Sequence, residues 1–204
     1  EQTVELSAAE NTQTASRTAY VDLACGEETV RLTVTQAAAS GETDFTVLFD
    51  PGFAQKLQEL GHISDAENIT MADMENIAAI TSLHVPGTDD ASGLTSLQGI
   101  EYFESLTELV CYYNQLTSLD VSANTALTTL WCYYNQLESL DVSANTALMV
   151  LECDDNQLTS LDVSANTALT LLYCAVNQLT SLDISRNTEL TQLTCFDNQL
   201  TSLD

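Results

Sequence analysis

The residues of this chain that could do chemistry recur on one spacing. Cys111, Cys132, Cys153, Cys174 and Cys195 stand 21 residues apart, and Asp120, Asp141, Asp162, Asp183 and Asp204 keep the same interval. Tyr112, Tyr113, Trp131, Tyr133, Tyr134, Tyr173 and Phe196 each lie just before, or one or two places after, one of those cysteines. A column of thiols could pair as disulfides, hold a soft metal or fill a core. A column of carboxylates could bind calcium or accept hydrogen bonds. A column of aromatic rings could stack on a ligand.

Each possibility can be weighed on spacing. If the cysteines sit in register on neighbouring parallel strands, they lie roughly 4.8 Å apart. Their Cβ vectors then run parallel, so the shorter Cβ separation of a disulfide is missed, and free thiols acting as small core hydrophobes are expected. The interval matches no chelate motif, so no metal is expected there. Equally spaced aspartates would repel by about 1 kcal/mol per neighbour in water. Serines flank each of them, Ser118 and Ser122 around Asp120 for instance, so hydroxyl and backbone donors are expected to hold the carboxylates. A string of weak calcium sites is the alternative, but the repeat contains no glycine for a tight calcium loop. The two histidines, His62 and His84, have no serine or cysteine at nucleophile-elbow spacing. Nucleotide-binding glycine motifs and HExxH are missing from the sequence. No enzyme activity and no cofactor are expected of this chain.

The element that must position these columns is a 21-residue unit beginning at Leu106, Leu127, Leu148, Leu169 and Leu190, without insertion or deletion. Each copy runs L-x-x-L-x-C-x-x-N-Q-L-[TE]-S-L-D. A fixed period in the twenties with leucines at places 1, 4 and 11 and asparagine at 9 marks a leucine-rich-repeat solenoid built on a parallel ladder of short strands. Places 1, 4, 6 and 11 should point inward as stacked Leu-Leu-Cys-Leu layers. The asparagines at place 9 (Asn114 to Asn198) and place 19 (Asn124 to Asn187) should form two ladders that satisfy backbone groups at the corners. Places 3, 5, 7 and 8 should project onto the concave face. There Tyr112, Tyr113, Trp131, Tyr133, Tyr134, Tyr173 and Phe196, with Glu152 and Asp154, make an aromatic patch rimmed by acids. Aromatic rings also suit strands for packing alone, but this composition is that of a recognition surface.

Ahead of the repeats, Asp50-Pro-Gly-Phe-Ala-Gln-Lys-Leu-Gln-Glu-Leu-Gly61 carries a cap-type Asp, Pro at the first helical place and Gly past the end. Phe53, Leu57 and Leu60 should form its apolar face. Thr70-Met-Ala-Asp73 is a capping box that opens a second helix through Met74 and Ile77. These helices should close the open apolar end of the solenoid, as terminal repeats must. Ile80-Thr-Ser-Leu83 and Leu94 to Phe103 then form an irregular first coil.

Further upstream, Thr3-Val-Glu-Leu-Ser7, Thr18 to Ala24 and Thr29 to Thr35 alternate apolar with polar and read as strands. The stretch from Asn11 to Val21, with Val30-Arg-Leu-Thr-Val-Thr-Gln36, resembles the C-terminal half of a BACON domain. That family comprises small immunoglobulin-like modules of exported Bacteroidetes proteins, often beside carbohydrate-active domains. The resemblance implies three strands of a larger sandwich and carries over no sugar-binding aromatic. The later region resembles internalin-like leucine-rich-repeat proteins with a helical cap, its repeats being of the LTxLxCxxNQLTSLDVSxNTxL type found in Bacteroidetes surface proteins. This resemblance implies a mixed α/β solenoid and export.

The expected organisation is a partial BACON-like β module over 1–38, a linker and helical cap over 39–79, and the solenoid over 80–204. Asp and Glu total 30 against 4 Lys and Arg, for a formal net charge of −26. Such a surface repels phosphate backbones and anionic membranes, so nucleic acid and membrane insertion are excluded as partners. The chain begins with Glu1 and reaches Asp204 without a closing cap, so it is expected to be trimmed and to continue past both ends. The function expected is recognition or adhesion through the concave aromatic face at the cell surface, as a secreted protein or outer-membrane lipoprotein. A protein is the expected partner, a glycan the alternative.

Overall fold

The computed structural model describes residues 17–25, 28–36, 44–88 and 93–203, the first two spans as backbone only. The chain divides into two compact units, Glu1–Thr43 and Asp44–Asp204. In the first unit, β1 (Arg17–Cys25) pairs antiparallel with β2 (Glu28–Gln36) in unbroken register from Arg17 opposite Gln36 to Cys25 opposite Glu28. Both strands run one residue further at each end than the alternation predicted. The strand expected at Thr3 to Ser7 lies outside the described residues, as does the start of the expected linker, 39–43.

The second unit is the solenoid. Short strands β3 (Ser82–His84), β4 (Glu108–Val110), β5 (Thr129–Trp131), β6 (Val150–Glu152), β7 (Leu171–Tyr173) and β9 (Gln192–Thr194) form one parallel sheet in sequence order. From β4 onward each residue pairs with the one 21 places later, Leu109 with Leu130 and Leu130 with Leu151. β3 pairs with β4 across the longer first coil, Ser82 opposite Glu108. On another side of the coil, β8 (Ser181–Leu182) pairs with β10 (Ser202–Leu203).

Leucines at places 1, 4 and 11 and the cysteine at place 6 are fully buried from Leu106 through Leu179. The inward set is larger than predicted. Leu119, Leu140, Leu161 and Leu182 at place 14, and Val121, Val142 and Val163 at place 16, are also buried. Two more apolar columns therefore close the coil on its aspartate side, at roughly 25 cal/mol per Å² of apolar surface removed from water.

Two asparagine ladders hold the corners. Asn135 Nδ2 donates to the carbonyls of Cys111 (3.1 Å) and Cys132 (3.0 Å), and its Oδ1 accepts from Leu116 N at 3.0 Å. The pattern repeats at Asn156 and Asn177. At place 19, Asn145 Nδ2 donates to the carbonyls of Val121 (3.0 Å) and Asn124 (2.9 Å). The Oδ1 atoms of Asn124, Asn145, Asn166 and Asn187 are buried without a hydrogen-bond partner, so this second ladder works through its donors.

The helical cap seals one end. α1 (Pro51–Glu59) starts at Asp50, whose carboxylate accepts from Phe53 N at 3.0 Å. α2 (Met71–Ala78) starts with the Thr70/Asp73 capping box formed in both directions. The apolar face of α1 is Phe53, Ala54 and Leu57; Leu60, predicted to belong to it, is 44% exposed. Leu60 is the C-cap residue, beyond the last helical turn, and Gly61 at φ +75° turns the chain away immediately after it. The Phe53 ring lies 6.0 Å from Phe103 and Phe49 lies 5.7 Å from Tyr102, which joins cap to first coil. Gly99, at φ +105°, makes that junction possible, since a Cβ there would fall 2.2 Å from the Phe49 ring.

The cysteine column is buried from Cys111 to Cys174, half-buried at Cys195, and all five are free thiols. Burial pushes the thiols of Cys111 and Cys174 up to about 12 and raises those of Cys132 and Cys153 well above the ordinary range. They act as small apolar groups. Cys153→Ser should therefore destabilise by roughly 1–3 kcal/mol in denaturant unfolding, as a hydroxyl enters an apolar stack. Cys153→Ala or Val should cost less; equal tolerance of Ser and Ala would contradict the core assignment. Thiol titration of the unfolded, unreduced chain should find all 6 cysteines free.

Candidate recognition face on the parallel sheet

The side chains at places 7 and 8 are adjacent in sequence, yet both lie on the strand side of the coil. The backbone explains this. Tyr113, Tyr134, Asp155, Val176 and Asp197, all at place 8, have φ between 50° and 54°. Left-handed backbone is unfavourable for non-glycine residues and most of all for a β-branched Val176. It is held at each coil by the next residue, whose asparagine amide donates to the carbonyls at places 6 and 7, as Asn156 does to Cys153 and Asp154. The turn breaks strand alternation and brings two neighbouring side chains onto one face.

Two tyrosine stacks result. Tyr112 and Tyr133 stack with centroids 4.6 Å apart at 11°, and Tyr113 and Tyr134 stack at 4.5 Å and 6°. Edge-to-face contacts of 5.6 to 5.9 Å tie the stacks together. Trp131 precedes Tyr133 and is half-buried, with its indole Nε1 covered and without a partner. Burial, then the neighbouring Tyr112, pushes the Tyr133 hydroxyl up to about 12. The Asp155 carboxylate nearby raises that of Tyr134. Both hydroxyls are thus protonated donors at neutral pH.

The next coils are acidic and then small. Glu152 sits in register between Trp131 and Tyr173, and burial followed by Asp154 raises its pKa. Asp154 is itself half-buried; its pKa is raised chiefly by that burial, while its Oδ1 accepts from Ala175 N at 2.8 Å. Tyr173 donates to Gln192 Oε1 at 2.8 Å, and Phe196 is 63% exposed. Val110 and Ala175, expected to project outward, are both only 2% exposed, Val110 lying in register between His84 and Trp131. A shallow hollow of about 390 Å³ opens over Ala175, walled by Tyr133, Tyr134, Tyr173 and Phe196.

A carboxylate whose folded pKa is raised binds protons more readily in the folded chain, so it costs stability at neutral pH. The cost grows as pH rises from the unfolded value near 3.9 through the folded one, and is absent below both. Asp154→Asn keeps an oxygen for Ala175 N. It should raise the melting temperature at pH 7 and lose that advantage below about pH 3.9. A lowered melting temperature at pH 7 would contradict this.

The aspartate column behaves in the opposite way. Asp120, Asp141, Asp162 and Asp183 each accept from the backbone N of the serine two residues on at 2.9 Å. The serine hydroxyl and then its amide hold each pKa below the usual carboxylate range. With folded pKa lowered, their stabilisation is present above the unfolded value near 3.9 and lost as pH falls through the folded one. Asp141→Asn with Asp162→Asn should flatten that acid limb of the stability profile. Millimolar Ca²⁺ should move the melting temperature no more than Mg²⁺ at equal ionic strength. A calcium-specific rise abolished by the double variant would reassign the column as a metal site.

His84 Nε2 lies 3.4 Å from Glu108 Oε2, which also accepts the Ser82 hydroxyl at 2.7 Å. The serine thus donates to the carboxylate rather than to the imidazole, which is not the arrangement that activates a nucleophile.

A parallel ladder of three-residue strands, stacked leucines and an asparagine corner define this unit as a leucine-rich-repeat solenoid with a helical cap. Comparison with known proteins agrees. The family profile described as leucine rich repeats (2 copies) matches residues 104–145, and the BACON profile, a putative binding domain, matches residues 1–37. The structure is similar to the functional domain of InlJ from Listeria monocytogenes, described as including a cysteine ladder. Identity is 41%, TM-score 0.70, and the match covers 80% of this chain and 35% of that one. An internalin (InlF) of the same species shares the fold at 24% identity and TM-score 0.67, over 79% of this chain and 48% of that one. A leucine-rich-repeat protein of Leptospira interrogans matches at 25% identity and TM-score 0.56, over 65% and 38%. The chain thus spans less than half the length of each. No curated protein matches its sequence.

Proposed function

We propose that this chain is a non-catalytic recognition module of a surface-displayed or secreted protein, binding a protein partner through its sheet face. The assignment of 1–38 as a BACON-like spacer or anchor, 39–79 as linker and cap, and 80–204 as the binding solenoid belongs to the same reading. The observation that carries it is the pair of tyrosine stacks, with centroids 4.5 and 4.6 Å apart, tied together edge to face and followed along the sheet by Glu152, Asp154, Tyr173 and Phe196. Aromatic rings supply large contact area at small entropic cost, and tyrosine hydroxyls add hydrogen bonds at the rim. The similarity to InlJ and InlF, together with the BACON match, supports placement outside the cytoplasm. No helix among the described residues is long and apolar enough to cross a membrane.

Site-specific photo-crosslinking tests the reading. A benzophenone side chain at Tyr134 should capture a partner, whereas the same group at Ser139, on the serine and aspartate side, should not. Capture at Ser139 alone would move the interface to the aspartate side. Saturable quenching of Trp131 fluorescence by a polysaccharide would instead assign the face to a glycan.

A further inference from the structure

The hollow over Ala175 differs in kind from the rest of the sheet face. Place 7 carries Tyr112, Tyr133, Asp154, Ala175 and Phe196 in successive coils. The small Ala175 follows Asp154 and precedes the bulky Phe196 in that column, and a hollow of about 390 Å³ opens there. Tyr133 and Tyr134 wall one side, Phe196 the other, and Tyr173 borders it from the adjoining strand. Glu152, Asp154 and Asp155 also line it, and no basic side chain does.

We propose that this hollow takes an arginine side chain projecting from the protein partner. The inference rests on the recognition-face reading and deepens it. A guanidinium is planar and weakly hydrated, so it can lie against the faces of Tyr133 or Tyr173 while its N–H groups reach Glu152 and Asp154. The carboxylates along Asp120 to Asp183 show why acidity alone is not the signal. Those are exposed and none is enclosed by aromatic walls. In the hollow, by contrast, burial makes the carboxylates of Glu152 and Asp154 costly to keep ionised until a cation arrives. Groups that cost stability in place are characteristic of binding sites. The net charge of −26 would draw a basic partner surface toward the module before any contact forms.

The probe is Nα-acetyl-argininamide, titrated into ¹⁵N-labelled protein, with Nα-acetyl-glutaminamide as the uncharged comparison. Saturable shifts are expected at the amides of Asp154, Ala175 and Val176 with the arginine probe and not with the glutamine one. Glu152→Gln with Asp154→Asn should weaken the probe by about tenfold or more, the loss of a desolvated charge partner. Ala175→Phe, which fills the gap without changing charge, should abolish the shifts. Asp141→Asn with Asp162→Asn removes the same charge from the other side and should leave affinity unchanged. Equal loss in the two charge-matched variants, equal shifts with the glutamine probe, or an Ala175→Phe protein that still binds would each overturn the proposal. Thermal unfolding of every variant separates these outcomes from misfolding. The two readings fail separately. A partner crosslinked at Tyr134, with an arginine probe that never saturates, sinks the pocket alone. Saturable arginine binding with crosslinking only at Ser139 sinks the recognition face and leaves the pocket.

Discussion

Trp131→Ala combined with Tyr133→Ala is expected to weaken the partner captured at the sheet face by tenfold or more while cooperative unfolding survives. Anchor aromatics at the centre of an interface each carry about 2 kcal/mol or more when desolvated, and about 1.4 kcal/mol is a factor of ten in affinity. The cost to the fold is smaller. Tyr133 stacks on Tyr112 at 4.6 Å, an aromatic contact worth about 0.5–1.5 kcal/mol. Trp131 is half-buried, and its indole nitrogen makes no hydrogen bond that truncation would break. The repeat's leucines and cysteines, which hold the coils together, are untouched. Ser139→Ala with Ser160→Ala provides the control, since both serines are exposed and outside the aromatic face. Binding by titration calorimetry and unfolding by circular dichroism should be measured on the same samples. Loss of cooperative unfolding with unchanged affinity would make these rings packing residues and end the case for the face.

The largest effect on stability is expected at Asn156. Its Nδ2 donates to the carbonyls of Cys132 (3.1 Å), Cys153 (3.2 Å) and Asp154 (3.1 Å), and its Oδ1 accepts from Leu137 N at 3.0 Å. Asn156→Ala strands those groups at a buried corner. Unsatisfied buried groups cost about 1–3 kcal/mol each, and since they share one site a total of about 4 kcal/mol is expected. The left-handed Asp155 loses its clamp in the same step. Asn156→Asp should be no better at neutral pH, because it keeps an acceptor for Leu137 N but turns a carboxylate toward three carbonyls. Asn145→Ala should cost less, since only two carbonyls lose a donor and its Oδ1 has no partner to lose. Urea unfolding ranks the three. A cost below about 1 kcal/mol for Asn156→Ala would mean that leucine stacking, not the ladder, holds the corner.

What the sequence determined by itself was the interval of the coil and the columns which that interval makes. An invariant 21-residue interval dictates the register of the sheet, because each strand must find the same layer of leucines in the next coil. The same interval makes columns, so burial of places 1, 4, 6 and 11 and the gathering of Tyr112 and Tyr133 into one aromatic patch were legible in the spacing, whereas their parallel stacking was not. The Asp50-Pro51 start of α1 and the Thr70/Asp73 capping box were legible too, since capping is settled within four residues. Tertiary structure alone decided the features that depend on neighbours distant in sequence. Leu119 and Val121 flank an aspartate in a polar stretch, and only coil closure turns them inward. The left-handed turn at place 8 has no glycine to announce it; it exists because asparagine bonds reaching two adjacent coils outweigh the local strain. Gly87 looks like any loop glycine, yet a Cβ there would fall 1.7 Å from the Tyr113 carbonyl of the following coil. Leu60 has the right spacing for the helix face, but the chain turns away at Gly61. The hollow over Ala175 appears only when four coils are stacked, which sets a small residue among Tyr133 and Tyr134 from two coils earlier, the carboxylates of the coil between, its own Tyr173 and Phe196 of the next. Periodicity therefore specifies the scaffold, because every coil must satisfy the same contacts. The proposed binding face lies in the departures from the period, and their meaning depends on which side chains the stacked coils bring within reach of one another.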